Sequence, residues 1–130
     1  MTNELVEKAV ADYFKALRDM NVEAWLATFD ENAVSHDPVG SAPLVGHEGL
    51  RGFLTGVLSL FENVGLQEQQ TFIAGREAAV KWTGYGRGKN GVDVRFEGID
   101  VITVDEAGKI SNVRAYWDAA ALIAEVTGPV

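Results

Sequence analysis

Residues 92–104, with the sequence VDVRFEGIDVITV, alternate between two kinds of side chain, and this alternation decides the class of fold. One face of the predicted strand is apolar apart from a single carboxyl, and the other face begins with charged groups. The apolar face carries Val94, Phe96, Gly98, Asp100, Ile102 and Val104. Such a period of two is typical of a strand that packs one face against a core.

Similar patterns extend in both directions from this strand. Three further strands are predicted at residues 66–74, 78–87 and 110–117, and Asn90-Gly91 predicts a hairpin turn. The first part of the chain instead has helical spacing, with one apolar stripe from Val6 to Met20. A short helix capped by Asn21 is predicted to carry residues 22–29, and a third helix residues 50–61, with an irregular loop at residues 33–43 whose start could be a brief strand. We therefore predict one α+β domain, with helices on one face of a mostly antiparallel sheet.

The charge balance and composition exclude several classes of function. The chain has 130 residues, with 19 acidic and 11 basic side chains and a net charge of −8. Nucleic acids and anionic membrane surfaces attract clustered Lys and Arg, so neither is expected as a partner. The absence of cysteine excludes disulfides, thiolate nucleophiles and Cys-based metal sites. Because no signal peptide or long apolar run is recognisable, we expect a cytoplasmic protein.

Three polar residues occupy positions that call for explanation. Asp100 and Tyr13 lie on apolar faces of a predicted strand and helix, and Asp37 precedes Pro38 in the predicted loop. Burial disfavours an ionised carboxylate, so a buried Asp100 would stay protonated and could donate a hydrogen bond. Each residue also has a purely structural explanation. Asp100 could be a buried Asp hydrogen-bonded to the backbone, or a shifted strand register could place it in water. Tyr13 could be an ordinary core tyrosine, and Asp37 could simply start a turn.

The same residues resemble a known family when they are taken together. The matching stretches are Tyr13 to Leu50, including His36-Asp-Pro-Val-Gly40, and residues 98–110 followed by Arg114-Ala-Tyr-Trp-Asp118. They resemble the Δ5-3-ketosteroid isomerases of the NTF2-like or SnoaL-like superfamily, and the resemblance covers nearly the whole chain. It implies a cone-shaped fold, with N-terminal helices on a strongly curved sheet that encloses an apolar pocket. The spacing from Tyr13 to Asp37 reproduces that of the family, and Asp100 and Trp117 also match.

The resemblance also implies a reaction. Asp37 would move a proton between two carbons of a β,γ-unsaturated ketone, and Tyr13 with protonated Asp100 would form an oxyanion hole. No metal or organic cofactor is required. The guest would be a small apolar ketone, steroid-like or a terpenoid or polyketide. Candidates for the wall of its pocket, each of which could equally be ordinary core, are Val10, Phe14, Phe53, Val57, Trp82, Phe96 and Trp117.

Some features depart from the isomerase pattern and leave alternatives open. Two positions at which some isomerases carry further tyrosines are Phe29 and Leu54 here. A metal site at His36 and His47 is conceivable but lacks the helical pairing of metal ligands. Related cyclases could use Asp37 and Asp100 to open an epoxide or drive an aldol closure, and a ligand-binding domain without catalysis is a third reading. The family usually forms homodimers through the outer face of the sheet, and Tyr85, Ile99 and Val101 are compatible with that.

Overall fold

The structure, a computed structural model, describes residues 3–129, and these form a six-stranded sheet with four helices. Its strands lie in the order β2-β1-β6-β5-β4-β3, and all neighbouring pairs are antiparallel except β1 and β6. The elements in chain order are α1 (Asn3–Arg18), α2 (Val22–Leu26), β1 (Phe29–His36), β2 (Leu44–Val45), α3 (Gly46–Leu58), β3 (Phe61–Ala74), β4 (Glu77–Gly88), β5 (Asp93–Val104), β6 (Ile110–Tyr116) and α4 (Ala119–Thr127). The predicted α+β class, with N-terminal helices on one face of a mostly antiparallel curved sheet, is confirmed.

The second and third helices both end before their predicted last residues. Phe29 begins β1 and Phe61 begins β3, so neither belongs to the helix that precedes it. Apolar residues at the end of a short helical pattern also fit the first buried position of a strand, and sheet pairing decided between the two. The stretch predicted as a loop from residue 33 is strand up to His36, because β1 pairs in parallel with β6. Its irregular part begins at Asp37.

Helix α4 was not predicted. The sequence does contain a signal for this helix, because Asp118 is a residue type that caps helices and three alanines follow it. In the structure the Asp118 side chain accepts a hydrogen bond from the Ala121 N–H at 3.0 Å. Asn90 in the β4–β5 hairpin fixes the other end of this helix by donating to the carbonyls of Glu125 and Gly128. Gly91 takes the positive φ of that hairpin turn, as the sequence predicts. Helix α4 is thereby held across the end of the sheet.

Two hydrophobic clusters lie on the inner face of the sheet. The larger one joins α1, α2 and α3 to the strands and includes Val6, Phe14 and Leu50, all without solvent exposure. The smaller one joins α4 to the sheet through Phe61, Leu122 and neighbouring residues. Within the described part of the chain, no helix is long and apolar enough to cross a membrane.

Strand β6 brings the two candidate carboxyls together from distant parts of the sequence. Asp100 on β5 lies directly opposite Ala115 on β6. On the other side of β6, the loop that follows β1 is attached to the same residue, because the Val39 N–H donates to the Ala115 carbonyl at 2.8 Å. Asp37, two residues before Val39, is thus held at the level of Asp100 by backbone hydrogen bonds.

Candidate active site

Tyr13, Asp37 and Asp100 all line one cavity between the helices and the sheet. The cavity is open at its mouth, and the space inside it that a water-sized sphere can occupy is about 70 Å³. The remaining lining is apolar and comes from every layer of the fold: Leu17, Trp25, Phe53, Leu54, Val57, Leu58, Phe61, Val64, Gly65, Leu66, Trp82, Phe96, Trp117 and Leu122.

Asp100 is a buried carboxyl on the inner face of β5, with 2 % of its surface exposed. Its Oδ1 accepts a hydrogen bond from the Trp82 indole N–H at 2.9 Å. Gly98 makes this contact possible, since a Cβ at that position would lie 2.5 Å from Cζ2 of Trp82. Burial and, second, the nearby Asp37 charge raise the pKa of Asp100 from 3.8 to about 8, against the effect of Trp82. The carboxyl is therefore mostly protonated at neutral pH, with Oδ2 left to donate.

Asp37 is a partly buried carboxyl at the start of the loop after β1. Its Oδ1 accepts a hydrogen bond from the Trp117 indole N–H at 2.7 Å. Burial raises the pKa of Asp37 from 3.8 to about 6, and the Trp117 hydrogen bond opposes this rise. Asp37 is consequently mostly ionised at neutral pH and can accept a proton.

Tyr13 contributes a buried hydroxyl from the middle of α1, with 2 % of the residue exposed. Its ring is surrounded by aromatic side chains, with ring centroids 5.0 Å from Phe14, 5.9 Å from Phe29 and 6.0 Å from Trp25. Burial, followed by the nearby Asp100 and Asp37 carboxyls, raises the pKa of Tyr13 well above its usual value. Tyr13 is therefore a hydroxyl donor throughout the ordinary pH range.

These three groups give the cavity a base and two neutral donors in an otherwise apolar wall. Two carboxyls whose pKa values lie on opposite sides of neutrality can act as a proton acceptor and a proton donor at the same pH. Neutral O–H donors in a site that excludes water stabilise negative charge on a ligand oxygen more strongly than they would in bulk solvent. The arrangement suits a reaction that removes a proton from carbon and builds an oxyanion.

The predicted wall residues divide into two groups. Phe53, Val57, Trp82, Phe96 and Trp117 line the cavity, and the last three form an aromatic cluster with centroids about 6 Å apart. Val10 and Phe14 do not line it, because they lie in the main core, 4 % and 0 % exposed. They share the apolar stripe of α1 with Tyr13, and a stripe alone does not distinguish a residue that faces the sheet from one that faces the cavity. Contact between the five lining residues and a substrate stays a prediction.

Several lining residues are not predicted from the sequence, of which Trp25 and Leu122 are the most informative. Trp25 falls within the predicted short helix, and its position facing Tyr13 depends on how α2 packs against α1. Leu122 belongs to α4, whose Asp118 cap and alanine run were available as a signal.

The two histidines occupy separate structural positions. His47 Nε2 lies 3.0 Å from the carbonyl oxygen of Phe29, which ties α3 to the start of β1. His36 is the last residue of β1 and lies opposite Arg114 of β6 in the register of the sheet. Among residues 3–129, no three His, Cys, Asp or Glu side chains are grouped closely enough to hold a metal ion.

The raised pKa values predict that stability falls as the pH rises. Both carboxyls bind protons more tightly in the folded chain than in the unfolded one, so each adds to the free energy of unfolding while it is protonated. This stabilisation is complete below pH 3.8 and is lost as the pH rises to about 6 for Asp37 and to about 8 for Asp100. Each unit of pKa difference corresponds to about 1.4 kcal/mol. Urea unfolding between about pH 5 and pH 8 should therefore show a fall of several kcal/mol. Asp100→Asn should flatten the upper part of this curve, and an unchanged slope in that variant would contradict the assigned pKa.

The fold and cavity define a class of protein: a small α+β domain of the cone-shaped NTF2-like type, whose curved sheet and helices surround an apolar pocket. Residues 10–113 match the SnoaL-like domain, and the chain belongs to this family. No curated protein matches the sequence.

Solved structures with the same fold include proteins of different activity. The Δ5-3-ketosteroid isomerase from Mycobacterium sp. is 25% identical, with a TM-score of 0.79 over 90% of this chain and 95% of the isomerase. The epoxide hydrolase/cyclase-like enzyme SalBIII, of pyran ring formation in the polyether salinomycin, is 24% identical, with a TM-score of 0.81 over 91% and 94% of the two chains. A Mycobacterium tuberculosis protein in complex with estradiol-17β-hemisuccinate is 21% identical, with a TM-score of 0.79 over 89% and 95%. The same fold is thus found in a ketosteroid isomerase and in an epoxide hydrolase/cyclase-like enzyme, and the third of these proteins holds a steroid derivative.

Proposed function

We propose that this protein is a cofactor-free isomerase that moves a C=C bond from the β,γ to the α,β position of a ketone. The observation that carries the proposal is the pairing, in one apolar cavity, of an ionised Asp37 with a protonated Asp100 and the Tyr13 hydroxyl. A base alone would not explain why two neutral donors are buried near it. The reaction needs both, because it begins with proton abstraction and passes through an oxyanion.

The reaction proceeds in two proton transfers. Asp37 removes a proton from the carbon between the ketone and the double bond, and the electron pair of that C–H bond moves towards the ketone oxygen to give a dienolate. Tyr13 and Asp100 donate hydrogen bonds to this oxygen, where the negative charge is concentrated. Asp37 then returns the proton to the far carbon of the original double bond. The charge moves from carboxylate to dienolate and back, so no external acid, base or oxidant is consumed.

The lining favours a flat apolar ketone as the substrate. The rings of Trp82, Phe96 and Trp117 provide an aromatic wall beside the two carboxyls, and aliphatic side chains from α3 and β3 lie opposite. A guest with several fused rings, or a terpenoid or polyketide ketone of similar size, gains from burial along this wall. A guest that is anionic before it binds would be repelled by the ionised Asp37.

Turnover of a β,γ-unsaturated steroid ketone tests the proposal. The purified chain is incubated with 5-androstene-3,17-dione, and the absorbance of the conjugated enone is followed against buffer at the same pH. The proposal predicts turnover that saturates with substrate. Conversion no faster than in buffer would refute the steroid isomerase assignment.

The pH dependence of turnover should be bell-shaped. Asp37 must be ionised and Asp100 protonated, so kcat/KM should rise through about pH 6 and fall through about pH 8. Trp117→Phe removes the N–H that holds down the pKa of Asp37, and it should move the acid limb up by roughly one pH unit while leaving the alkaline limb in place. Movement of the alkaline limb instead would mean that the two carboxyls had been assigned the wrong way round.

Epoxide opening is a second candidate function, favoured by the protonated Asp100. A neutral carboxyl can give its proton to an epoxide oxygen while Asp37 accepts one from an attacking hydroxyl, and SalBIII has the same fold. The two functions separate on paired substrates. An isomerase converts the β,γ-unsaturated ketone and leaves a hydroxy-epoxide of similar size unchanged, whereas a cyclase does the reverse.

We also propose that two copies of the chain pair through the outer face of the sheet. Phe72, Tyr85, Ile99 and Tyr116 are exposed there on four neighbouring strands. Exposed apolar patches of this kind are commonly covered by a partner. Sedimentation of the full chain should give the mass of two chains, and the mass of one chain would overturn the proposal.

A further inference from the structure

All three tryptophans of the chain line the cavity, and each lies beside one of its acidic groups. The Trp117 N–H donates to Asp37, and the Trp82 N–H donates to Asp100. Trp25 faces Tyr13, with their ring centroids 6.0 Å apart. The first two indoles have acceptors with ordinary hydrogen-bond geometry, and the third does not.

The Trp25 N–H is an unsatisfied donor. The residue is 2 % exposed, and its Nε1 has no hydrogen-bond partner within residues 3–129. A buried N–H without an acceptor destabilises the fold, so a donor of this kind needs an explanation. The ring of Phe29, with its centroid 4.8 Å from that of Trp25, offers no acceptor. The Tyr13 oxygen is the acceptor that the indole N–H approaches, since the two ring centroids lie 6.0 Å apart and the contact lowers the pKa of Tyr13 against the effect of burial. This contact lacks the geometry of an ordinary hydrogen bond.

We propose that Trp25 is a positioning residue of the oxyanion site: its indole N–H donates to the Tyr13 oxygen when Tyr13 donates its own proton to a negatively charged ligand oxygen. The proposal rests on the isomerase function proposed above. In this chain Phe29 and Leu54 are apolar at the positions where some isomerases carry tyrosines. Trp25 would therefore supply the hydrogen bond to the Tyr13 oxygen that a tyrosine hydroxyl at one of those positions could donate.

The physical basis is mutual polarisation along a chain of hydrogen bonds. As the Tyr13 proton moves towards the ligand, negative charge grows on the Tyr13 oxygen, and the Trp25 N–H becomes a stronger partner for it. The effect should increase with the charge on the ligand oxygen. A neutral ketone therefore gains little from Trp25, and the dienolate gains more, so Trp25→Phe should lower kcat more than it raises KM.

Binding of 2-naphthols of graded acidity tests this without relying on turnover. When the naphthol ionises in the cavity, its proton goes to Asp37, so the naphtholate oxygen lies beside a neutral Asp37 as the dienolate oxygen does. The control is 2-methoxynaphthalene, which cannot ionise. Affinities are measured for wild type, Trp25→Phe, Tyr13→Phe and the double variant. We expect Trp25→Phe to weaken the most acidic naphthol about tenfold and the methoxy compound less than about twofold. In the Tyr13→Phe background, Trp25→Phe should have no further effect on either ligand.

Each alternative result has a distinct meaning. Equal losses for both ligands would overturn the proposal by showing that the indole only fills space. A loss that persists in the Tyr13→Phe background would overturn it by showing that Trp25 contacts the ligand directly. If wild type prefers the ionised naphthol and Trp25→Phe keeps that preference, the oxyanion site stands and the role of Trp25 fails. If wild type shows no preference, the proposed function fails as well.

An NMR measurement on the unaltered cavity guards against misfolding of the variants. The three indole N–H groups give three resonances with ¹⁵N-labelled tryptophan, and that of Trp25 is assigned by its loss in Trp25→Phe. Binding of the ionised naphthol to wild type should shift this resonance downfield, as expected for a strengthened hydrogen bond. The methoxy compound should leave it nearly unmoved. A Trp25 resonance that responds equally to both ligands would overturn the proposal.

Discussion

Replacing Asp37 with Asn should lower kcat for a β,γ-unsaturated ketone by roughly 10²- to 10⁴-fold, the usual contribution of a positioned general base. The amide cannot accept the carbon-bound proton, but its oxygen can still accept the Trp117 hydrogen bond. The shape and lining of the cavity are kept, so KM should change little. Steady-state kinetics at the pH optimum measure both quantities.

Asp93→Asn is the matched control for this change. Asp93 is an exposed carboxylate on β5 that pairs with Arg87 at 2.9 Å and does not line the cavity. It has the same chemistry and undergoes the same substitution, and its activity should stay at the wild-type level. If Asp37→Asn were as active as Asp93→Asn, Asp37 would not be the base.

Replacing Asp100 with Ala should lower kcat by roughly 10²- to 10³-fold, because one of the two oxyanion donors is removed. Replacing it with Asn should cost far less, within about tenfold, since a neutral amide has nearly the shape of a protonated carboxyl and retains a donor. The Asn oxygen can accept from Trp82 while its NH₂ group donates to the ligand oxygen. The two substitutions together test the protonation state and not merely the presence of a polar group.

The pH profile provides the second readout for these variants. An amide does not titrate, so Asp100→Asn should lose the alkaline limb near pH 8 that Asp100 gives the wild type. Asp100→Ala should lose it too, but at much lower activity. If Asn were as damaging as Ala, the working form of Asp100 would be the carboxylate, and the division of roles between the two aspartates would be wrong.

The sequence was sufficient for strands β3 to β6 and for the inward position of Asp100, but not for β2 or for the parallel pairing of β1 with β6. The strict alternation of residues 92–104 predicts that Asp100 faces inwards, and burial of Asp100 is a direct consequence of that pattern. The turn signals between strands predicted the hairpins because Gly91 tolerates a positive φ that most residues avoid. These features depend on neighbours in sequence or on one strand pairing.

Features that depend on packing between distant elements could not be predicted in the same way. Val10, Tyr13 and Phe14 share the apolar stripe of α1, yet of these three only Tyr13 lines the cavity. The role of Trp25 depends on the angle at which α2 crosses α1, which no local pattern specifies. The hydrogen bonds of Trp82 and Trp117 to the two carboxyls depend on strand register and on the space left by Gly98.

The central claim is that one carboxylate, Asp37, carries a proton from one carbon of the substrate to another. The most direct test uses 5-androstene-3,17-dione deuterated at the carbon between its ketone and its double bond, with the conjugated product analysed by mass spectrometry. Asp37 is only partly exposed and lies in a mostly apolar cavity, so the proton it holds should partly return to the same molecule before it exchanges with water. We therefore expect a conjugated product that keeps a measurable fraction of the transferred deuterium. No conjugated product, or a product that has lost all of the transferable deuterium to water, would contradict it.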